Sequence, residues 1–216
     1  MPKTLAEAIN TAIDSKLIQL HTSLPCEVVA VNIATQSVNV KVVVNQITND
    51  DKPLEFPIIT EVPIGYTKTN EYNISFPINI GDTGLITFSE RQLDYWIVED
   101  KIQMPDDFRK HSMSDGLFTP NFYNRANLIS DLTTDALEIR SADNATKFSL
   151  NKNGDVTTDC KHFVVNASES FTVNSPNSNF NGGTVKNDGT SMDNTHTHSQ
   201  GSDSAGNTQQ NTTPPN

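Results

Sequence analysis

An eight-residue unit repeated in tandem constrains the fold of this chain more than any other feature. Phe163-Val164-Val165-Asn166-Ala167-Ser168-Glu169-Ser170 runs directly into Phe171-Thr172-Val173-Asn174-Ser175-Pro176-Asn177-Ser178. Phe, Val, Asn and Ser recur at the first, third, fourth and last positions, and Phe180-Asn181 begins a slipped third copy. Side chains of a strand alternate faces, so positions one, three and five of each unit share a side and a polar corner follows. So short a strand cannot bury its apolar side alone; it needs stacked neighbours or other chains. The unit is also shorter than the roughly 20 residues per coil of single-chain solenoids. Three chains wound together, each giving one strand to every layer, would close a triangular prism. Phe163, Val165, Phe171 and Val173 would fill its axis, so the repeat predicts a homotrimer.

Beyond the repeat, core-forming residues almost vanish. From Asn181 to Asn216, Val185 is the only residue drawn from Leu, Ile, Val and Phe. Such a segment stays disordered unless something other than a hydrophobic core holds it. His196-Thr197-His198 is the candidate. On an extended strand its two imidazoles point to one side, which makes half a metal site. Three copies on an axis would supply six nitrogens. Octahedral imidazole suits a late first-row divalent ion, and the affinity order alone does not choose iron over nickel or cobalt. With every position filled by protein, the ion would be structural and leave no room for water or substrate. Its binding energy would accrue only to the assembled trimer. His21, His111 and His162 have no matching partners and read as packing or surface residues.

The N-terminal part has a different texture. Leu5, Ile9, Ile13 and Leu17 recur every four residues behind Thr4 and Glu7, a capping-box pattern, which predicts a helix over 4–20 with a narrow apolar stripe. Cys26–Asn32 and Val38–Val44 read as two strands joined at Ala34-Thr35-Gln36, the second alternating valine with polar residues. Asn73–Ile80 and Leu85–Phe88 add a hairpin-like unit around Gly81-Asp82-Thr83-Gly84. Some five short strands within about 80 residues match a small Greek-key barrel such as an OB-fold, with a β-sandwich fragment as the alternative. Ala136–Ser141 and Lys147–Asn151 are short alternating strands, and Asn153-Gly154 is a hairpin-turn dipeptide. The chain is thus expected to be mainly β: an N-terminal helix over 1–22, a barrel over 23–100, a linker over 101–130, the prism over 131–190 and an apex over 191–216.

Charge and composition narrow the function classes. The net charge is -11 with only 15 Lys and Arg, so no basic surface exists to track phosphates and no nucleic-acid partner is expected. Cys26 and Cys160 fit neither a disulfide framework nor a zinc motif and are expected to be packed thiols. Met1–Ser23 is interrupted by Glu7 and Asp14 and does not read as a targeting segment. No run approaches the roughly 20 apolar residues of a membrane span, so synthesis in the cytoplasm is expected. No Gly-x-Ser-x-Gly, P-loop or His-Glu-x-x-His pattern occurs. Glu90, Arg91 and Asp94 lack a nucleophile and read as a strand-end charge pair or a barrel–linker contact. A non-enzyme is expected.

Taken together, the chain resembles the central spike, or membrane-piercing tail-tip protein, of contractile-tail bacteriophage baseplates. The resemblance is carried by Phe76-Pro77-Ile78-Asn79-Ile80-Gly81-Asp82-Thr83-Gly84-Leu85, Phe88-Ser89-Glu90-Arg91, Asp94-Tyr95-Trp96 and Arg109-Lys110-His111-Ser112-Met113-Ser114-Asp115-Gly116, then by the octads and the histidine pair. It implies an OB-fold domain, a triple-stranded β-helix and, at the tip, one iron ion per trimer, most simply Fe2+, held by His196 and His198 of three chains. It also implies a virion protein at the baseplate tip, docked on the tail hub and driven mechanically through the host outer membrane. The chain departs from that family after the histidines, where Ser199–Thr208 is polar and not a Gly/Pro-rich turn. A trimeric receptor-binding tail fibre or adhesin would need an exposed aromatic patch, and a polysaccharide-degrading β-helix would need paired carboxylates along a groove. A type VI secretion spike shares the same physics and is the nearest alternative.

Overall fold

The computed structural model describes residues 4–48, 50–99, 101–102, 104–120, 124–188, 190–192, 197–208 and 210–212. Helix α1, Leu5–Ile18, begins where the capping box places it. Thr4 Oγ1 accepts from the Glu7 N–H at 3.3 Å, and the Glu7 carboxylate accepts from the Thr4 N–H at 2.7 Å. Two donors left open by a helix start are thereby satisfied. Leu5, Ile9, Ile13 and Leu17 are all exposed. With no buried face to hold it, the helix depends on local terms, and Thr4→Ala should cost it about 0.5–2 kcal/mol. The expected readout is a fall in far-ultraviolet helical signal with an unchanged barrel melting transition.

The strands that follow close on themselves. β1 (Ser23–Asn32) pairs antiparallel with β2 (Ser37–Val42), with Cys26 opposite Val42 and Val31 opposite Val38. A two-residue ladder of β3 (Gln46–Ile47) and β4 (Pro53–Leu54) precedes β5 (Ile59–Pro63), which returns to β2. A second small ladder, β6 (Thr67–Lys68) with β7 (Asn73–Ile74), leads to β8 (Thr83–Phe88) on the other side of β1. After the short helix α2 (Asp94–Glu99), β9 (Gly116–Thr119) pairs with β8. The sheet order is β5-β2-β1-β8-β9. A parallel bridge between Ile64 and Phe118, and the Gly65 N–H donating to the Phe118 carbonyl at 2.7 Å, tie the two edges together. The result is a curled five-stranded Greek-key barrel of the OB type. Cys26 and Val28 of β1 and Val38, Val40 and Val42 of β2 point inward with Ile59, Val62, Ile86, Phe88 and Phe118, and all are buried.

Two expectations are corrected here. The barrel was expected to end at residue 100, with 101–130 a linker; its fifth strand instead comes from Gly116–Thr119. Four residues are too few to display alternation, and this strand is specified by its pairing with β8. The strand expected over Asn73–Ile80 survives only as Asn73–Ile74. Pro77 cannot donate to a ladder, and the Asp82 carboxylate accepts from the Asn79 N–H at 2.7 Å, turning the chain before β8.

A three-stranded antiparallel sheet follows in the order β10 (Ala136–Arg140), β11 (Lys147–Asn151), β12 (Val156–Asp159). The Asn153-Gly154 turn forms as the dipeptide predicts, with Gly154 at φ +92° and the Asn151 N–H donating to the Asp155 carbonyl at 2.9 Å. The chain clusters into two units, Met1–Thr157 and Thr158–Asn216. In the second, residues 160–185 form no ladder within the chain, and β13 (Lys186–Asn187) pairs with β14 (Thr190–Ser191).

Candidate functional site

The octads present their apolar side chains to solvent. Phe163 is 72% exposed, Val165 49%, Phe171 70% and Val173 59%. The polar corner of the second octad is formed: Ser175 Oγ accepts from the Asn177 N–H at 3.3 Å and donates to the Asn177 carbonyl at 2.5 Å. A stretch that offers both bare apolar side chains and, among the described residues, a backbone outside any ladder has two unmet needs, and strands from other chains would answer both. Cys160, expected to be packed, is exposed in the chain, whereas Cys26 is buried. Burial pushes the Cys26 thiol up to about 11, keeping it a neutral core group.

His196 lies outside the described residues. His198 is exposed, and its backbone is held by a returning segment: the His198 N–H donates to Thr212 Oγ1 at 2.9 Å and the Thr212 N–H donates to the His198 carbonyl at 3.0 Å. The reversal between them is built on Asp203, whose Oδ1 accepts from the Ala205 and Asn207 N–H groups, both at 2.9 Å. Hydrogen bonds from Asn207 hold the Asp203 carboxyl below its usual range, and Gly206 takes φ +84° to finish the turn. The polar segment after the histidines therefore has a defined way to double back without Gly/Pro-rich sequence. Among the described residues no three His, Cys, Asp or Glu side chains converge on a point. Two imidazoles from each of three chains would make a six-coordinate donor set that fits a late first-row ion.

The carboxylates singled out near the barrel divide. Glu90 is bonded by its neighbour Arg91 at 2.6 Å, a purely local pair. Asp94 belongs to a larger clamp centred on Arg109, whose Nη2 donates to Asp94 Oδ1 at 2.7 Å and whose Nε donates to Asp115 Oδ2 at 2.7 Å. Asp115 also accepts from the Leu93 N–H at 2.9 Å and is buried. Hydrogen bonds from Arg109 hold the Asp115 carboxyl below its usual range; for Asp94, Gln92 is the larger cause and Arg109 the next. Gln92 Oε1 accepts from the Asp106 and Asp107 N–H groups at 2.9 and 3.1 Å, closing the base of the same loop. The arrangement ties Asp94 of α2 and Asp115 beside β9 to Arg109, all within the connection between β8 and β9. Arg109 and Asp115 were not singled out from their chemistry, because their partners are distant in sequence; Asp115 immediately before the β9 glycine was the available signal. His21, read as a packing residue, lies against Phe56 and Phe88 with ring centroids 5.6 and 6.1 Å away.

The clamp predicts an acid limit. The folded pKa of Asp115 lies below its ordinary value near 3.8, so its contribution is fully present above that value and is lost as pH falls through the lower, folded one. Asp115→Asn should cost about 3 kcal/mol, the low end for a broken buried pair because Arg109 keeps Asp94. It should also flatten the loss of stability below about pH 4, read by chemical denaturation at several pH values.

Residues 24–121 match the family described as phage protein Gp138 N-terminal domain. The match begins inside β1 and ends just after β9, so it takes in the barrel and the Arg109 clamp and stops before β10. It supports a phage structural protein. No curated protein matches the chain.

Proposed function

We propose that the protein is the trimeric central spike of a phage baseplate, a non-enzyme that pierces the host outer membrane when the tail contracts. The observation that carries this reading is the octad run, with Phe163, Val165, Phe171 and Val173 exposed and no ladder to it among the described residues. Three copies would supply each other's missing strands and close the prism. The barrel would form the broad base on the tail hub, and the similarity of residues 24–121 to a phage protein domain supports that setting. A closed trimer leaves few free strand edges, which suits a needle that must cross a membrane without unfolding or aggregating. The net charge of -11 over the whole chain, with the Asn, Ser and Thr of the shaft, would keep the spike soluble before use.

At the tip, His196 and His198 of three chains would hold one ferrous ion. The ion supplies a structural crosslink that only the trimer can make. The test is native mass spectrometry combined with elemental analysis. The expected species has three times the 23.7 kDa chain mass and one metal ion. His196→Ala with His198→Ala should lose the ion and keep the trimer. A monomeric wild type, or undiminished metal in the double variant, overturns the reading.

A further inference from the structure

The chain contains two Asn-Gly steps, Asn153-Gly154 and Asn181-Gly182, and the fold holds them in opposite ways. Asparagine followed by glycine is the step at which a backbone most readily attacks its own side chain, because no Cβ shields the following nitrogen. The attack needs a side-chain amide free to turn back, a following N–H free to give up its proton, and room for the ring that forms. At Asn153 the amide and the N–H are both engaged. Asn153 Nδ2 donates to Asp155 Oδ2 at 2.7 Å, and its Oδ1 accepts from the Asp155 N–H at 3.1 Å. The Gly154 N–H donates to the Asn151 carbonyl at 3.0 Å, inside the turn between β11 and β12. Asn181 is held by none of these devices. It is exposed, between the last octad residue, Ser178, and β13. Among the described residues no hydrogen bond reaches its side-chain amide or the Gly182 N–H. A Cβ placed on Gly182 would meet no heavy atom within 4 Å, so space for ring closure is open. Gly182 and Gly183 follow at φ +78° and +87°, a left-handed pair that glycine adopts at no steric cost.

We propose that Asn181 is a self-modification site, at which the chain converts its own asparagine to aspartate and isoaspartate without an enzyme. The Gly182 nitrogen attacks Asn181 Cγ and loses its proton to solvent base. The N–Cγ bond forms as the Cγ–Nδ2 bond breaks, and the amide nitrogen takes up a proton and leaves as ammonia. Water then opens the succinimide ring. Attack at the former side-chain carbonyl restores the main chain and leaves aspartate. Attack at the main-chain carbonyl leaves isoaspartate, in which the chain runs through the former side chain. One water is consumed and one ammonia released, with no oxidant or reductant. Either product adds negative charge to a chain already at -11, and isoaspartate also inserts a methylene into the backbone between the octads and the His198 segment. The charge and path of that joint therefore change with the age of the chain. The reaction belongs to the single chain and needs no partner.

Peptide mapping by mass spectrometry tests this on the full-length protein held in mildly alkaline buffer, with isoaspartate counted by enzymatic methyl transfer. Asn181 should convert at least about tenfold faster than Asn153, since freeing one hydrogen bond before the attack accounts for a factor of that order. In urea, where both environments are erased, the two rates should converge. Asp155→Ala frees Asn153 Nδ2 and should speed conversion at Asn153 while leaving Asn181 unchanged. Gly182→Ala shields the attacking nitrogen and should slow Asn181. Asn181 converting no faster than Asn153 in the native protein, or the same ratio of rates in urea as in the native chain, overturns the proposal.

Discussion

A full-length chain carrying Phe163→Asp and Phe171→Asp should lose its metal and remain trimeric only at high concentration. The two phenylalanines are largely exposed in the single chain, so the change removes little that the monomer buries. In the prism, three copies would bury six phenyl rings at about 1.5–3 kcal/mol each, on the order of 10 kcal/mol in all. The variant replaces them with six carboxylates crowded on one axis, where like charges disfavour ionisation and desolvation opposes the rest. Both effects act on the assembled state only. Sedimentation equilibrium should show dissociation moving up by several orders of magnitude, and elemental analysis should show metal falling to background, because on the proposed reading His196 and His198 would no longer share an axis with their copies. The barrel's melting transition should not move. A variant that stays trimeric at nanomolar concentration with its metal in place would show that the octads are not the contact.

What was legible in the sequence was local. Thr4 with Glu7 announced the cap, the valines of β1 and β2 announced two half-buried strands, and Asn153-Gly154 announced its turn, because in each case the residues that decide are neighbours. The fifth barrel strand was not legible. Gly116–Thr119 has no periodicity of its own and becomes a strand by lying against β8 and bridging Ile64. The Arg109 clamp was hidden for the same reason: Asp94 stood out only beside Glu90 and Arg91, and Arg109, 15 residues on, meets it and Asp115 only once the chain has folded. In β10 and β11 the alternation was visible, but which face would be free was not, since that depends on residues 126–133 covering the polar side. The octads sit at the opposite extreme. Their pattern is plain in the sequence, and on the proposed reading the partner that completes it lies in another chain. For the candidate metal pair, the sequence also anticipated the polar tail but not its solution, a turn on Asp203 that brings Thr212 back to His198.

The second large effect is expected from Gly84→Ala, a single methyl group at the seam of the barrel. Gly84 sits in β8 opposite Cys26, and the Phe118 ring lies across it. A Cβ there would fall 2.4 Å from Phe118 Cε2, 2.6 Å from Cζ and 2.6 Å from the Thr119 carbonyl oxygen. The ring could swing away, but the carbonyl belongs to β9 and moves only if the strand does. Phe118 is fully buried and carries the bridge to Ile64, so displacing it opens the closure between β5 and β9. Overpacking of a sound core costs about 1–3 kcal/mol and more where backbone must shift; this site belongs at the upper end. At about 4–8 °C per kcal/mol for a domain of this size, the barrel transition should fall by about 10–20 °C. Phe118→Ala should cost about 3–5 kcal/mol by leaving a cavity at the same seam. The two changes should be less than additive together, because removing the ring removes one clash, while the contact with the Thr119 carbonyl persists and keeps the double variant below Phe118→Ala alone. Calorimetry on the four proteins measures that coupling. An unshifted transition for Gly84→Ala would mean that β8 and β9 do not close the barrel across the Phe118 ring.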